Sequence, residues 1–201
     1  MILDRSRCPE GIRDSKVLSP AARARLAEAI AGAAVAWAVG EADAGEIDAA
    51  NILVATKRAM LRALAALPVR PDFLIVDALP LSEAGIPMEC PVKADRDVMS
   101  VAAASILAKV HRDRRLEHLD AAYPGYGLAR HKGYGTQAHL EALALLGPSP
   151  IHRRTFARVQ PGLAGLDARS PIGAAAAMKD GVRPSLPAKA RGPVARRGPR
   201  P

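Results

Sequence analysis

The sequence predicts an α/β fold, in which a helix stands between most strands. Residues 73–76 (Phe-Leu-Ile-Val) form a continuous apolar run, as expected of a strand buried on both faces. Residues 98–112 repeat apolar side chains at spacings of three and four, which indicates an amphipathic helix. Strand-like and helical segments alternate along the chain, a pattern typical of α/β proteins.

The first half of the chain contains two predicted helices with a strand between them. Ser19 is suited to cap a helix that continues to about residue 31, because Pro20 then occupies its first position. Residues 34–40 are short, apolar and closed by a glycine, which predicts a strand. Residues 44–67 return to helical character, and Pro68 ends that helix.

The second half is expected to begin with a short edge strand within residues 88–93, followed by a helix from about Val98. Asp95 or Asp97 is a candidate N-cap for that helix. Its periodicity predicts two faces. The apolar face carries Met99, Ala103, Ile106 and Val110, and the other carries Ser105, Lys109 and Arg112. Thr136 is expected to cap a last helix over residues 137–146, which Gly147 and Pro148 end.

Positive charge is concentrated in the second half of the sequence. The net charge is +9, and residues 164–201 contain eight Lys or Arg against two acids. Residues 100–163 contain nine Lys or Arg against four acids. Such an excess suits a polyanionic partner, since cations that neutralise phosphates release condensed counterions. A solvated basic surface is the alternative.

Two further features exclude common classes of protein. No run of eighteen apolar residues occurs, and the first residues are charged, so neither a membrane span nor an export signal is expected. Cys8 and Cys90 form no C-x-x-C pair, so we expect reduced thiols in a cytoplasmic, monomeric protein.

We expect one domain over residues 1–163, followed by a disordered tail over residues 164–201. The tail is rich in proline, glycine, alanine and basic residues, with few large apolar side chains. Such a composition buries too little surface to offset the entropy of ordering.

Two aspartates stand at positions suited to chemistry. Asp77 follows the apolar run, where it either starts a turn or places a carboxylate at a strand end. Asp95 precedes a predicted helix, where it is either an N-cap or a metal ligand. These alternatives stay open on position alone.

The motifs around these aspartates closely resemble those of ribonuclease HII, and they follow one another in that family's order. The resemblance covers residues 1 to about 163. It is carried by Asp14-Ser15-Lys16, Glu46-Ile47-Asp48, Asn51-Ile52-Leu53, Leu74-Ile75-Val76-Asp77, Lys93-Ala94-Asp95, the segment 102–109, Tyr123-Pro124-Gly125-Tyr126-Gly127, His131-Lys132-Gly133-Tyr134-Gly135-Thr136, His152-Arg153-Arg154 and Phe156.

This resemblance implies a ribonuclease H-like α/β fold, a mixed sheet flanked by helices and followed by a small helical C-terminal region. It also implies hydrolysis of RNA paired to DNA, in a hybrid or in duplex DNA that contains ribonucleotides. It implies that Asp77 and Asp95 are the third and fourth of four acids that hold two divalent cations, Mn²⁺ or Mg²⁺. Lys16, Ser105 and Lys109 look like phosphate contacts, and Tyr134 resembles the family's tyrosine that packs on a sugar. His131 and Lys132 are expected to shape their loop or to meet phosphate.

The first two acids of the resemblance are absent from these 201 residues. The family places them in an Asp-Glu-Ala-Gly-Arg-Gly segment after its first strand, and the chain contains no such segment. We therefore expect the first strand to be missing and the sheet to be incomplete. Two hypotheses follow: an enzyme whose acid pair is encoded upstream, or a catalytically silent remnant that binds nucleic acid.

Overall fold

The computed structural model describes residues 1–4, 6–12, 15–156 and 159, which lie within one unit, Met1–Leu166. The expected tail, residues 164–201, lies outside the described residues. No described helix is long and apolar enough to cross a membrane. The described elements follow in the order α1 (Pro20–Ala33), α2 (Ala44–Ala49), α3 (Ile52–Ala65), β1 (Leu74–Ile75), a 3₁₀ turn (Ser82–Ala84), β2 (Met88–Glu89), α4 (Ala94–Asp97), α5 (Met99–Ala122), α6 (Leu128–His131) and α7 (Gln137–Leu146).

Packing of α1 against α5 forms the main core. Ile30 of α1 and Ile106 of α5 are both 0% exposed, and the small side chains of Ala27 and Ala103 belong to the same cluster. Helix α1 begins as predicted, with the Ser19 hydroxyl accepting from the Ala22 N–H and proline at its first position. The ion pair of Arg23 with Asp113 places the start of α1 beside the middle of α5.

Helix α5 has the two faces that its periodicity predicts. Ala103, Ile106 and Val110 are buried, so the apolar face is confirmed for these three residues. The prediction is wrong for Met99, which is exposed. Met99 lies in the first turn, where the helix borders an open cleft rather than the core.

A second core is formed by the small helical C-terminal region. Tyr126, Leu128 and Leu143 are buried together, and the Tyr126 hydroxyl donates to the Gly147 carbonyl at 2.7 Å. Thr136 caps α7 as predicted, since its hydroxyl accepts from the His139 N–H. These contacts attach α7 to the segment between α5 and α6.

The sheet found among the described residues is small. Strands β1 and β2 pair in parallel, with Leu74 opposite Met88 and Ile75 opposite Glu89. Residues 73–76 were expected to be buried on both faces, and this is wrong, because Phe73 is 48% exposed and Ile75 is 38% exposed. Both side chains line the open cleft, so no protein layer covers them on that side.

Two other predicted elements differ from the structure. The strand expected over residues 34–40 is reduced to one antiparallel bridge, between Ala36 and Ile2. The helix expected over residues 44–67 is divided into α2 and α3. The division occurs because the Asn51 side chain accepts from the Val54 N–H, which caps a new helix.

Candidate active site

Asp77 stands directly beyond β1 and connects the strand end to α4. Its Oδ1 accepts a hydrogen bond from the backbone N–H of Ala94, the first residue of α4, at 2.9 Å. The next residue along α4 is Asp95. The two candidate metal ligands are thus brought to one place by a contact between a side chain and the backbone.

The carboxylate of Asp95 does not cap a helix. Val98 is the N-cap of α5 and makes no side-chain capping bond, so neither predicted cap, Asp95 or Asp97, is used there. Both aspartates instead lie within the short helix α4. Asp95 is 13% exposed at its side chain and accepts from the Lys16 ammonium at 2.7 Å.

The segment that contains Lys16 also contacts α5. The Ser15 hydroxyl lies 3.0 Å from the Ser105 hydroxyl, across 90 positions of sequence. Asp14, the first residue of the same motif, lies outside the described residues. Ser15 and Lys16 thus connect this segment to Ser105 of α5 and to Asp95 of α4.

Lys109 lies one turn beyond Ser105 on α5. Its ammonium pairs with the carboxylate of Asp113 one further turn along the helix. Asp113 also accepts from Arg23 of α1 at 3.4 Å. Arg112 lies 4.0 Å from the same carboxylate. Lys109 is consequently held on the helix surface by an acid that it shares with two other cations.

Tyr134, which follows α6 in the chain, lies beside Arg112 on the same face of α5. Its ring is 60% exposed, and the Arg112 guanidinium carbon lies 5.3 Å from the ring centroid. Arg112 also donates to the Lys132 carbonyl at 2.9 Å. Because Ser105 and Arg112 are seven residues apart, this face extends roughly 10 Å along the helix.

Buried histidines also contact the segment that contains Tyr134. His139 Nδ1 lies 3.0 Å from the Tyr134 carbonyl, which requires Nδ1 to carry the proton and leaves Nε2 as an acceptor. His152 Nε2 lies 3.2 Å from His139 Nε2 and donates the proton of this hydrogen bond. His131 is also buried, accepts from the Gly133 N–H and contacts the Tyr126 carbonyl. This agrees with the expectation that His131 shapes the loop.

Burial changes the acidity of two of these histidines. Loss of water around the ring is the main reason that the pKa of His152 is lowered to about 4, and the neighbouring His139 lowers it further. Burial also lowers the pKa of His139. Both rings are neutral at pH 7, in agreement with their hydrogen bonds.

An open cleft of about 1330 Å³ lies between α3, β1 and the first turns of α5. Asp77, Asp95 and Ser105 line it. Among the described residues, no group of three or more His, Cys, Asp or Glu side chains is arranged to hold a metal ion. Two carboxylates fit a hydrated hard cation, because Mg²⁺ commonly binds one or two protein carboxylates and completes its shell with water and phosphate oxygens.

Sequence reasoning missed Arg23 and Asp113. Arg23 is an arginine in an alanine-rich helix, and nothing in its surroundings in the sequence indicates that it is buried. Lys109 and Asp113 are spaced by four on α5, which is a signal for an ion pair. That spacing does not reveal that Asp113 is shared with α1.

Comparison with solved structures shows which class of fold these elements form. The chain is similar to ribonuclease H2 from Pyrococcus horikoshii OT3, with a TM-score of 0.65 and 27% identity over 78% of this chain and 84% of that one. It is also similar to ribonuclease HII in the PCNA complex from Archaeoglobus fulgidus, with a TM-score of 0.56 and 27% identity over 77% and 82% of the chains. The protein therefore has a ribonuclease H-like fold of the type 2 class.

Sequence comparison gives the family. The family model described as ribonuclease HII matches residues 9–159. Ribonuclease HII of Thermus thermophilus is 58% identical over 147 residues, which cover 73% of this chain and 72% of that protein. Ribonuclease HII of Nitrosococcus oceani is 50% identical over 161 residues, which cover 80% of each. The chain belongs to the ribonuclease HII family, whose members are endoribonucleases.

Proposed function

We propose that this protein cuts the RNA strand of RNA–DNA hybrids, and duplex DNA at ribonucleotides, with two divalent cations. The products are a 5′-phosphate and a 3′-hydroxyl. The observation that carries the proposal is the contact of Asp77 with Ala94, because it brings Asp77 and Asp95 to one edge of the cleft. Family membership supports the same activity.

The charges around the two carboxylates suit a phosphodiester substrate. Lys16 pairs with Asp95, and the Ser15 and Ser105 hydroxyls lie beside that pair. An incoming phosphate takes the Lys16 ammonium as a partner, and the Asp95 carboxylate would then be available to hold a cation. Lys109 lies farther along α5, and Tyr134 lies beside Arg112 of the same helix, where they contact the next phosphate and a sugar of the same strand.

Mg²⁺ or Mn²⁺, held by Asp77 and Asp95, would supply Lewis-acid stabilisation of the negative charge that develops during the displacement. In the reaction, a water oxygen attacks phosphorus, the bond from phosphorus to O3′ breaks, and O3′ ends with a proton. The residues of this chain orient the phosphate for that attack. Lys16 and Lys109 also offset the charge of the flanking phosphates.

The test uses a form extended at its N-terminus by a strand and the Asp-Glu-Ala-Gly-Arg-Gly segment, because the 201 residues contain only two of the four acids that the resemblance implies. Cleavage of a labelled RNA–DNA hybrid is measured with Mn²⁺ or Mg²⁺, with chelator, and for variants of the two aspartates. Asp77→Asn and Asp95→Asn each remove one negative charge and are expected to lower the rate by about 100-fold or more. Asp97→Asn is the matched control, because Asp97 lies in the same short helix and pairs with Arg96. Full activity in chelator, or an Asp77→Asn rate within about threefold of the parent, contradicts the proposal.

A second comparison addresses the silent, nucleic-acid-binding alternative. The 201-residue chain is assayed beside a form extended at its N-terminus by a strand and the Asp-Glu-Ala-Gly-Arg-Gly segment. Because two of the four acids implied by the resemblance are absent from the 201 residues, the extended form is expected to cut faster by about 100-fold or more. Equal turnover by the two forms shows that the acid pair is dispensable. Hybrid binding without cutting by both forms supports the silent alternative.

A further inference from the structure

Arg23 is a charged side chain that is almost completely enclosed between α1 and α5. Its side chain is 10% exposed, and it lies beside the apolar cluster that contains Leu18 and Val110. A guanidinium removed from water needs partners for its N–H groups, or its burial is strongly unfavourable. The partners of Arg23 therefore indicate why it is there.

Two of these partners are backbone carbonyls on either side of Lys16. Arg23 Nε donates to the Ser15 carbonyl at 3.0 Å, and Nη2 donates to the Leu18 carbonyl at 2.9 Å. Because the guanidinium is planar and rigid, these two bonds hold both ends of a four-residue segment in one arrangement. Lys16 and the Ser15 hydroxyl, which reaches Ser105, belong to that segment.

The third partner connects Arg23 to the other candidate lysine. Arg23 Nη1 donates to Asp113 Oδ2 at 3.4 Å, while Asp113 Oδ1 accepts from the Lys109 ammonium. Asp113 is 18% exposed at its side chain, so little water screens these pairs. Arg112 Nη1 also lies 4.0 Å from Asp113 Oδ1, so three cations share one negative charge and the group remains net positive toward a phosphate.

We propose that Arg23 and Asp113 are positioning residues, which set the spacing of the Lys16 and Lys109 ammonium groups to match a nucleic-acid backbone. This inference rests on the proposed function. Neither residue contacts the substrate. The buried pair joins the Ser15–Leu18 segment to α5 across 90 positions of sequence, and the two lysines extend from its two ends.

The experiment measures hybrid binding and its salt dependence in the 201-residue chain, and cleavage kinetics in the form extended with the acid pair. Arg23→Lys keeps the charge, but one ammonium cannot reach all three acceptors. We expect about tenfold weaker hybrid binding, with a slope of log Kd against log salt that is reduced by about one phosphate contact. Arg25→Gln is the matched control, since Arg25 is an exposed arginine on the same helix.

Asp113→Asn is expected to lower kcat rather than to weaken hybrid binding. It leaves both carbonyl bonds of Arg23 possible while it removes the negative charge that restrains Lys109. We expect KM for the hybrid to stay the same or fall, because net positive charge increases, while kcat falls by about tenfold. The double variant is expected to be no worse than the Arg23→Lys variant, because both changes act on one pair.

The outcomes separate a positioning role from a structural role. One outcome is an Arg23→Lys variant with a lower melting temperature whose folded fraction binds the hybrid with the same affinity and the same salt slope as the parent. That result overturns the proposal and shows that Arg23 acts only in stability. Arg23→Lys binding equal to that of the parent overturns it as well, and leaves the proposed function intact. A parent chain that neither binds nor cuts the hybrid overturns the proposed function together with this inference.

Discussion

The Asp77 carboxylate accepts the backbone N–H of Ala94 at 2.9 Å, and this bond joins the end of β1 to the start of α4. Ala94 is 0% exposed, so its N–H has no access to water. The same side chain that is a candidate metal ligand thus has a structural partner on one oxygen. Asp77 also lines the cleft.

This contact predicts that two substitutions of Asp77 differ in stability while both impair cleavage. Asp77→Ala leaves the Ala94 N–H buried without an acceptor and is expected to lower the free energy of unfolding by about 1–3 kcal/mol. Asp77→Asn keeps an oxygen acceptor and is expected to cost about 0.5 kcal/mol or less. Urea denaturation measures both. Asp97→Ala, which removes only an exposed ion pair, serves as the control.

The buried histidines predict that stability falls in mild acid. His152 has a pKa of about 4 in the folded protein, below the usual 6.5, because it is buried. The unfolded chain therefore binds more protons between pH 6.5 and pH 4, and stability decreases as pH falls through that window. One proton corresponds to at most about 1.4 kcal/mol per pH unit.

Urea denaturation at several pH values checks this prediction. His152→Gln is expected to flatten the pH dependence between pH 6.5 and pH 4. The exposed His118 on α5 provides a matched control, and His118→Gln is expected to leave the slope unchanged. An identical slope in the parent and in His152→Gln shows that the buried histidine does not control acid stability.

Lys16 and Tyr134 are expected to contribute to hybrid binding in different ways. Lys16→Gln removes one cation, so the slope of log Kd against log salt decreases by about 0.9. Tyr134→Ala removes a stacking surface, so binding weakens by about tenfold or more while the slope stays the same. A salt titration of hybrid binding measures both effects. Arg114, on α5, pairs with Glu28, and Arg114→Gln is expected to change neither the affinity for the hybrid nor the slope.

The contacts of Asp48 predict that its substitution affects the structure locally, at the C-terminal end of the described residues. Its carboxylate accepts the Arg154 N–H at 2.7 Å and the Thr155 N–H at 3.0 Å. The Thr155 bonds are the main cause of a lowered Asp48 pKa, so this contact is complete above the usual carboxyl pKa and is lost as pH falls through the lowered value. Asp48→Ala is expected to speed amide exchange at residues 154 and 155 by roughly fivefold or more.

The comparison for Asp48→Ala is amide exchange in α1, which makes no contact with this segment in the described hydrogen bonds. Uniformly faster exchange in α1 and at residues 154 and 155 would indicate general loss of stability rather than local release.

Local signals in the sequence were sufficient for α1, α5 and α7. Ser19 with Pro20 marks the start of α1, Thr136 marks the start of α7, and the spacing of Ala103, Ile106 and Val110 defines the buried face of α5. Each of these features depends on residues within one or two turns of one another. The sequence also predicted that Asp77 follows a strand and that Asp95 stands near the start of a helix. It did not predict whether each carboxylate is a cap or a functional group.

Contacts between distant segments required the tertiary structure. Asn51 divides an otherwise continuous helical pattern, and the exposure of Phe73 and Ile75 depends on what lies across the cleft. The burial of Arg23 depends on Ser15 and on Asp113, which is 90 positions away along the chain. Sequence periodicity reports which face of an element is apolar, because that is a property of neighbouring residues. It contains no information on which segment covers that face or supplies its polar partners, since those contacts form only when the chain packs.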